Sequence, residues 1–182
     1  DYTWHAHYSA PRQALQDDIV HSFVRGGCTA RRPWLVFTAG PMGAGKTYTL
    51  RHFASTGAFP VSSFVLVDPD RIRRCIPEHR QHMAQNPVAA GVLTHREAGY
   101  IAELVERVAL ARSLNVLIDG SLRNAAWYTA AWARIRAEHP HYRIAILLVT
   151  ASPDRVYERA ERRAARTGRP VRIVAANTAS TR

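Results

Sequence analysis

The stretch that most constrains this chain is residues 34–47. There an unbroken apolar run, Trp34–Ala39 (WLVFTA), passes directly into Gly40–Thr47 (GPMGAGKT). A short run with no polar alternation predicts a strand covered on both faces, the kind found inside parallel sheets. The eight residues after it fit G-x-x-x-x-G-K-[ST], a loop whose backbone N–H groups curl inward around phosphates. In that pattern Gly40, Pro41, Met42, Gly43, Ala44 and Gly45 form a cradle. Lys46 reaches the β- and γ-phosphates, and Thr47 gives its hydroxyl to Mg²⁺. Tyr48 follows on the first turn of a helix whose positive end faces the same anion. The strand before and the helix after supply the context that a bare motif lacks. ATP or GTP, with Mg²⁺, is the expected ligand.

The rest of the chain reads as strands alternating with helices. Residues 9–26 predict a helix, with Ser9 as cap, Pro11 in the first turn, Gly26 and Gly27 as the stop, and Leu15, Ile19 and Phe23 as its apolar stripe. A helix is expected over Thr47–Ala54 and strands over Phe64–Val67, Val116–Ile118 and Arg143–Thr150. Longer helices are expected over Thr94–Leu114, where Ile101, Leu104, Val105 and Val108 share a face, over Ala125–Glu138 and over Pro153–Arg166. Residues 71–91 are polar and broken by Pro77, Pro87 and Gly91, so no element is assigned there. The alternation predicts one α/β domain over residues 1–182, a parallel sheet of at least four strands flanked by helices and joined by right-handed crossovers. Because such sheets often carry a further strand, truncation at the C-terminus is one reading of the chain.

Composition narrows the function classes. With 182 residues and 47 % hydrophobic content, the chain can bury one core. No stretch approaches the roughly 18 apolar residues of a membrane span, and the N-terminus lacks the layout of a signal peptide. Cys28 and Cys75 have no metal-ligand spacing, so a reducing, cytoplasmic setting is expected. The net charge of +11 could announce a polyanionic partner, but motifs that interleave aromatic and basic residues for nucleic acid are absent. More telling is that Lys46 is the one lysine in a chain of arginines. A compact ammonium kept at that single position suggests a task that a forked guanidinium does not perform.

Ligands of open α/β sheets bind beyond the carboxyl ends of the strands, so acids placed there are candidates for chemistry. Asp68 and Asp70 flank Pro69 just past FVLV, and Asp119 follows the third strand. If the segment stays extended, the i and i+2 carboxylates point the same way. Asp68 can then hold a Mg²⁺-bound water, and Asp70 can take the proton of a substrate hydroxyl. The competing reading is a helix cap, with Asp70 before RIRR. Arg159, Arg162, Arg163, Arg166 and Arg169 are either a solvated run or a lid over residues 155–170 that neutralises charge during phosphoryl transfer. His79, His82 and His95 read as surface residues.

In order and spacing these parts resemble the zeta-toxin family. They are GPMGAGKT, VDPDRIRRCIPEH (67–79), EAGYIAELVERVAL (97–110), LIDGSLRN (117–124) and YERAERRAARTGRPV (157–171). The resemblance covers about Trp34 to Val171. It implies a P-loop kinase fold and a phosphotransferase with an alcohol acceptor. The acceptor it implies is the sugar 3′-hydroxyl of UDP-N-acetylglucosamine, and the partner it implies is an antitoxin protein. It casts Asp70 as general base, Lys46 as the loop lysine, and Arg159 and Arg169 as arginines closing on the triphosphate. Glu103, Asp119, Ser121 and Arg123 become acceptor contacts beside Asp68. Asp119 is one methylene shorter than the glutamate of some relatives, and Ser121 stands where they have threonine. Both departures touch the acceptor more than the nucleotide, so the alternatives are a kinase for another metabolite, antibiotic or polynucleotide hydroxyl, or an ATP-binding module without chemistry.

Overall fold

The computed structural model describes residues 2–167. It contains β1 (Trp34–Ala39), β2 (Val65–Val67), β3 (Val116–Ile118) and β4 (Arg143–Leu148) in one parallel sheet of order β2-β3-β1-β4. The α/β expectation holds, with four strands among the described residues. Leu35 of β1 sits level with Val116 of β3 and Ile144 of β4, so the register carries all four chains in the same direction. Parallel strands need a crossover between them, and helices fill each one. One edge of the sheet therefore collects every strand's carboxyl end. Gly40, Asp68, Asp119 and Val149 each come directly after a strand, and β3 places Asp119 between Asp68 and the glycine loop.

The helices are α1 (Ala10–Val24), α2 (Lys46–Thr56), α3 (Pro69–Cys75), α4 (Pro77–Gln85), α5 (Pro87–Leu93), α6 (His95–Ala111), α7 (Ala125–Glu138) and α8 (Pro153–Thr167). A short 3₁₀ segment, Tyr2–His7, precedes α1. The main core joins Ile19 and Val24 of α1, Ile72 of α3, and Ile101 and Val105 of α6 to Leu35, Val65 and Val116 of the sheet. Burying each such side chain contributes about 1.5–3 kcal/mol. A smaller cluster of Val36, Leu50, Phe64 and Leu117 packs α2 against the sheet.

Several expectations are corrected. Three helices occupy the unassigned region 71–91, and prolines start each of α3, α4 and α5. A proline lacks the N–H that the first turn cannot satisfy anyway, so a residue read as a breaker serves as an initiator. Ser9 stands at the N-cap of α1 but makes no side-chain capping bond. The buried face of α1 centres on Gln16, Ile19, Val20 and Val24, leaving Leu15 and Phe23 half-buried. Gln16 can be buried because its amide donates to Glu97 at 2.7 Å. Arg12 adds paired bonds to Glu97 and Glu78, which tie α1 to α6 and α4. His79, expected at the surface, is buried in α4. β4 ends at Leu148 rather than Thr150. Among the described residues, no helix is long and apolar enough to cross a membrane.

Candidate nucleotide and acceptor site

The loop Gly40–Gly45 leaves β1 in a conformation that side chains resist. Gly40 has φ 132° and Gly43 has φ 90°. A Cβ at Gly40 would collide with the Val149 carbonyl oxygen beyond β4, and one at Gly43 would come within 2.8 Å of the Val156 carbonyl oxygen in α8. The backbone is thus pressed between two elements, with the Ala44 N–H donating to the Pro41 carbonyl oxygen at 3.2 Å inside the loop. Lys46 opens α2, and its Nζ donates to the carbonyl oxygens of Gly40 at 2.8 Å and Pro41 at 3.1 Å. Thr47 and Tyr48 follow it at the exposed start of that helix. These residues fit a triphosphate: a glycine cradle, a helix N-terminus and an ammonium meet at one point.

A groove of about 540 Å³ runs beside the loop, lined by Gly45, Tyr48, Val149, Ser152, Arg155 and Arg159. Arg159 Nη1 donates to the Ala44 carbonyl oxygen at 3.2 Å, which joins α8 to the loop. Part of the expected lid, residues 155–167, is therefore one continuous helix against the cradle. Arg169 lies outside the described residues.

Across β3 from the loop stand the acids. The Asp119 N–H donates to the Val67 carbonyl oxygen at 2.9 Å, and the Thr38 hydroxyl donates to Asp119 Oδ1 at 2.7 Å. Thr38 in turn accepts from the Gly120 N–H at 2.9 Å. Thr38, fully buried in an apolar strand, thereby fixes the first turn after β3; a polar residue inside such a run was the available signal for it. Ser121 and Arg123 follow on the exposed stretch before α7, whose cap is Asn124.

The segment Asp68–Asp70 is not extended, which corrects the sequence reading. Helix α3 begins at Pro69, and Asp68, not Asp70, is its N-cap, with Oδ1 accepting from the N–H groups of Asp70 at 2.8 Å and Arg71 at 3.2 Å. Burial pushes the Asp68 carboxyl above its ordinary range against those two donors, and the nearby charges of Asp119 and Asp70 push the same way. Asp70 lies in the first turn of α3, half-exposed, and its carboxylate pairs with the buried Arg73 at 3.0 Å. Among the described residues no group of three or more His, Cys, Asp or Glu could hold a metal ion. A Mg²⁺ here would thus have few protein ligands, Thr47 and Asp68 being the candidates, as Mg²⁺ at phosphates commonly does.

Glu103, half-buried, lines a cavity of about 300 Å³ beside α6 and α7, with His5, Tyr100, Glu106, Trp127 and Arg134. The ring of Tyr128 packs edge-on to Trp127 of that cavity, and its hydroxyl would lie 3.2 Å from a Cβ at Gly120 in the turn after Asp119. Burial pushes the carboxyl of Glu106 up to about 7, Glu103 adds to the shift, and Arg134 and Arg107 oppose it. Between the ordinary carboxyl range and about pH 7 the folded protein then holds a proton that the unfolded chain has released. The stability this gives is full below that window and is lost as pH rises through it. Glu106→Gln should therefore match the parent near pH 4 and exceed it by about 1–2 kcal/mol at pH 8, after discounting for an open cavity. Denaturant unfolding at the two pH values measures the difference, and equal stabilities at pH 8 would contradict the buried, protonated carboxyl.

The sheet order, the glycine cradle and the helix behind it define a P-loop kinase-like α/β fold. A family model described as Zeta toxin matches residues 24–181. The chain belongs to the zeta-toxin family. A solved structure from the PezAT chromosomal toxin–antitoxin system of the human pathogen Streptococcus pneumoniae has the same fold, with a TM-score of 0.72 at 22 % identity. The match covers 86 % of this chain and 63 % of that one, so the chain spans less than two thirds of its length. No curated protein matches the sequence.

Proposed function

We propose that this chain is a kinase that transfers the γ-phosphoryl group of ATP or GTP to a hydroxyl of a small molecule, with UDP-N-acetylglucosamine as the first candidate. The observation that carries the reading is the row along one sheet edge: glycine loop, Asp119, then Asp68 with Asp70. Donor machinery and the Asp70 carboxylate lie at the same sheet edge, with the end of β3 and Asp119 between them, where an acceptor can be held in line with the γ-phosphate. Gly40–Tyr48 hold the triphosphate, with the Lys46 ammonium on its β- and γ-oxygens. Bound Mg²⁺, held by Thr47 and Asp68, would offset the negative charge of those oxygens. Asp70 accepts the acceptor's hydroxyl proton as the new O–P bond forms and the bond from the γ-phosphorus to the β,γ-bridging oxygen breaks, releasing the nucleoside diphosphate. Arg159 would offset the charge that builds up in the transition state, and Arg169 is proposed for the same role. Glu103, Asp119, Ser121 and Arg123 orient the acceptor.

The family and the toxin–antitoxin system named for the matched structure support a role as a toxin with an antitoxin partner in the cytoplasm. ADP formation should depend on acceptor, and a panel of nucleotide sugars, free sugars, nucleosides and hydroxylated antibiotics tests this. UDP-N-acetylglucosamine is expected to give the largest stimulation, and the phosphorylated product is read by mass. A panel in which no compound raises ADP formation above hydrolysis by water would defeat the kinase reading.

A further inference from the structure

The family match begins at residue 24, yet the cavity that holds Glu103 has a wall from earlier in the chain. His5 lines that cavity and also a second hollow of about 320 Å³ beside it, with Trp4, Arg96, Tyr100 and Glu103. The segment is attached to α6 along its length. The Arg96 guanidinium lies 4.5 Å from the centre of the Trp4 ring. The His5 ring stacks on Tyr100 at 4.3 Å and 8° between planes, and Tyr8 flanks both rings. The Tyr8 hydroxyl is 3.0 Å from His5 Nδ1. A few residues later Arg12 grips Glu97 of the same helix. A short 3₁₀ turn has little stability of its own, so these contacts hold it in place.

Resting on the reading of this cavity as the acceptor pocket, we propose that residues 2–8 form its outer wall and that His5 is a specificity-determining residue there, hydrogen-bonding a hydroxyl or amide of a sugar ring. The lining suits such a ligand. The carboxyl groups of Glu103 and Glu106 and the guanidinium of Arg134 bond to hydroxyl, amide and phosphate groups. The half-exposed indole of Trp127, edge-on to Tyr128 at 4.7 Å, offers a flat face to the apolar side of a pyranose. Burial lowers the His5 imidazole below its ordinary range, although Glu103 and Glu97 pull it upward. A neutral ring uses one nitrogen on Tyr8 and brings the other to a ligand, as donor or acceptor according to its tautomer. An alternative use of the same segment is as a plug that competes with the acceptor, and the experiment separates the two.

The test is calorimetric titration of UDP-N-acetylglucosamine, and separately of Mg·ATP, into the full chain and its variants. His5→Ala should weaken nucleotide-sugar binding about tenfold and leave Mg·ATP binding within about twofold, the size of one lost hydrogen bond with its packing. His5→Phe keeps an aromatic ring on Tyr100 and so keeps the segment docked. It should remain weakened at least about fivefold. Unchanged or tighter sugar binding by His5→Ala overturns the proposal, tighter binding marking a plug. Full affinity in His5→Phe overturns the hydrogen-bonding role, because stacking alone would then suffice. A parent that binds the sugar but transfers no phosphate would count against the kinase reading, while a loss in His5→Ala would still support the wall. A parent that phosphorylates the sugar no better than His5→Ala does would remove the wall and leave the kinase.

Discussion

Asp70→Asn is expected to lower phosphoryl transfer by about 10²–10⁴-fold, the range for a lost general base, with Mg·ATP affinity held within about threefold. The donor side has an ammonium, a hydroxyl and backbone N–H groups, none of which takes a proton from an acceptor. Of the three carboxylates at the sheet edge, Asp68 is engaged as the cap of α3, and Asp119 accepts from the Thr38 hydroxyl. Asp70 lies one step further out, half-exposed on the first turn of α3, with Arg73 fixing its orientation. Asparagine keeps the size and an oxygen for Arg73 but loses the charge and the basicity. Single-turnover rates with saturating nucleotide and acceptor isolate the chemical step. A variant that transfers phosphate at the parental rate would move the base to Asp119 or Asp68.

Lys46→Ala should reduce turnover by at least about 10²-fold and weaken Mg·ATP binding together with it, because the ammonium touches the donor both before and during transfer. The chain has no second lysine that could stand in, and Arg159 of α8 meets the loop at the Ala44 carbonyl oxygen, whereas Lys46 meets it at Gly40 and Pro41. The loop itself should survive the change. Its path is set by Gly40 and Gly43 against Val149 and Val156, whose carbonyl oxygens leave no room for a side chain at either glycine. Titration of Mg·ATP and steady-state ADP formation check both halves. Parental turnover in Lys46→Ala would mean that this loop is not where the triphosphate reacts.

Legibility in the sequence followed distance along the chain. The cradle was readable because strand, glycines, lysine and helix are contiguous, and each dihedral demand falls on a residue that meets it. The strands were readable as apolar runs, with β4 two residues too long. The turn of α3 was misread although Asp68-Pro69 is the ordinary signature of an N-cap followed by the first helical residue. The cavity beside α6 and α7 was the least legible part. Glu106 looks like any helix-surface acid, and its place in a cavity with Trp127 and Arg134 comes from how α7 and α6 meet. His5 reaches Tyr100 across 95 positions in sequence, and no periodicity encodes that meeting. His79 sits in a polar segment whose burial comes from how short helices pack, and composition carries no trace of it.

The fold-back of Lys46 onto the Gly40 and Pro41 carbonyl oxygens has a practical side. An amine-directed reagent meets just one side-chain amine in this chain, and it lies within the nucleotide cradle. Its nucleophilicity is restrained by carbonyl partners, and on the proposed reading bound nucleotide would add phosphate oxygens to them. The extent of acylation at Lys46 is thereby a direct count of cradles left open, with no catalytic turnover needed to read it.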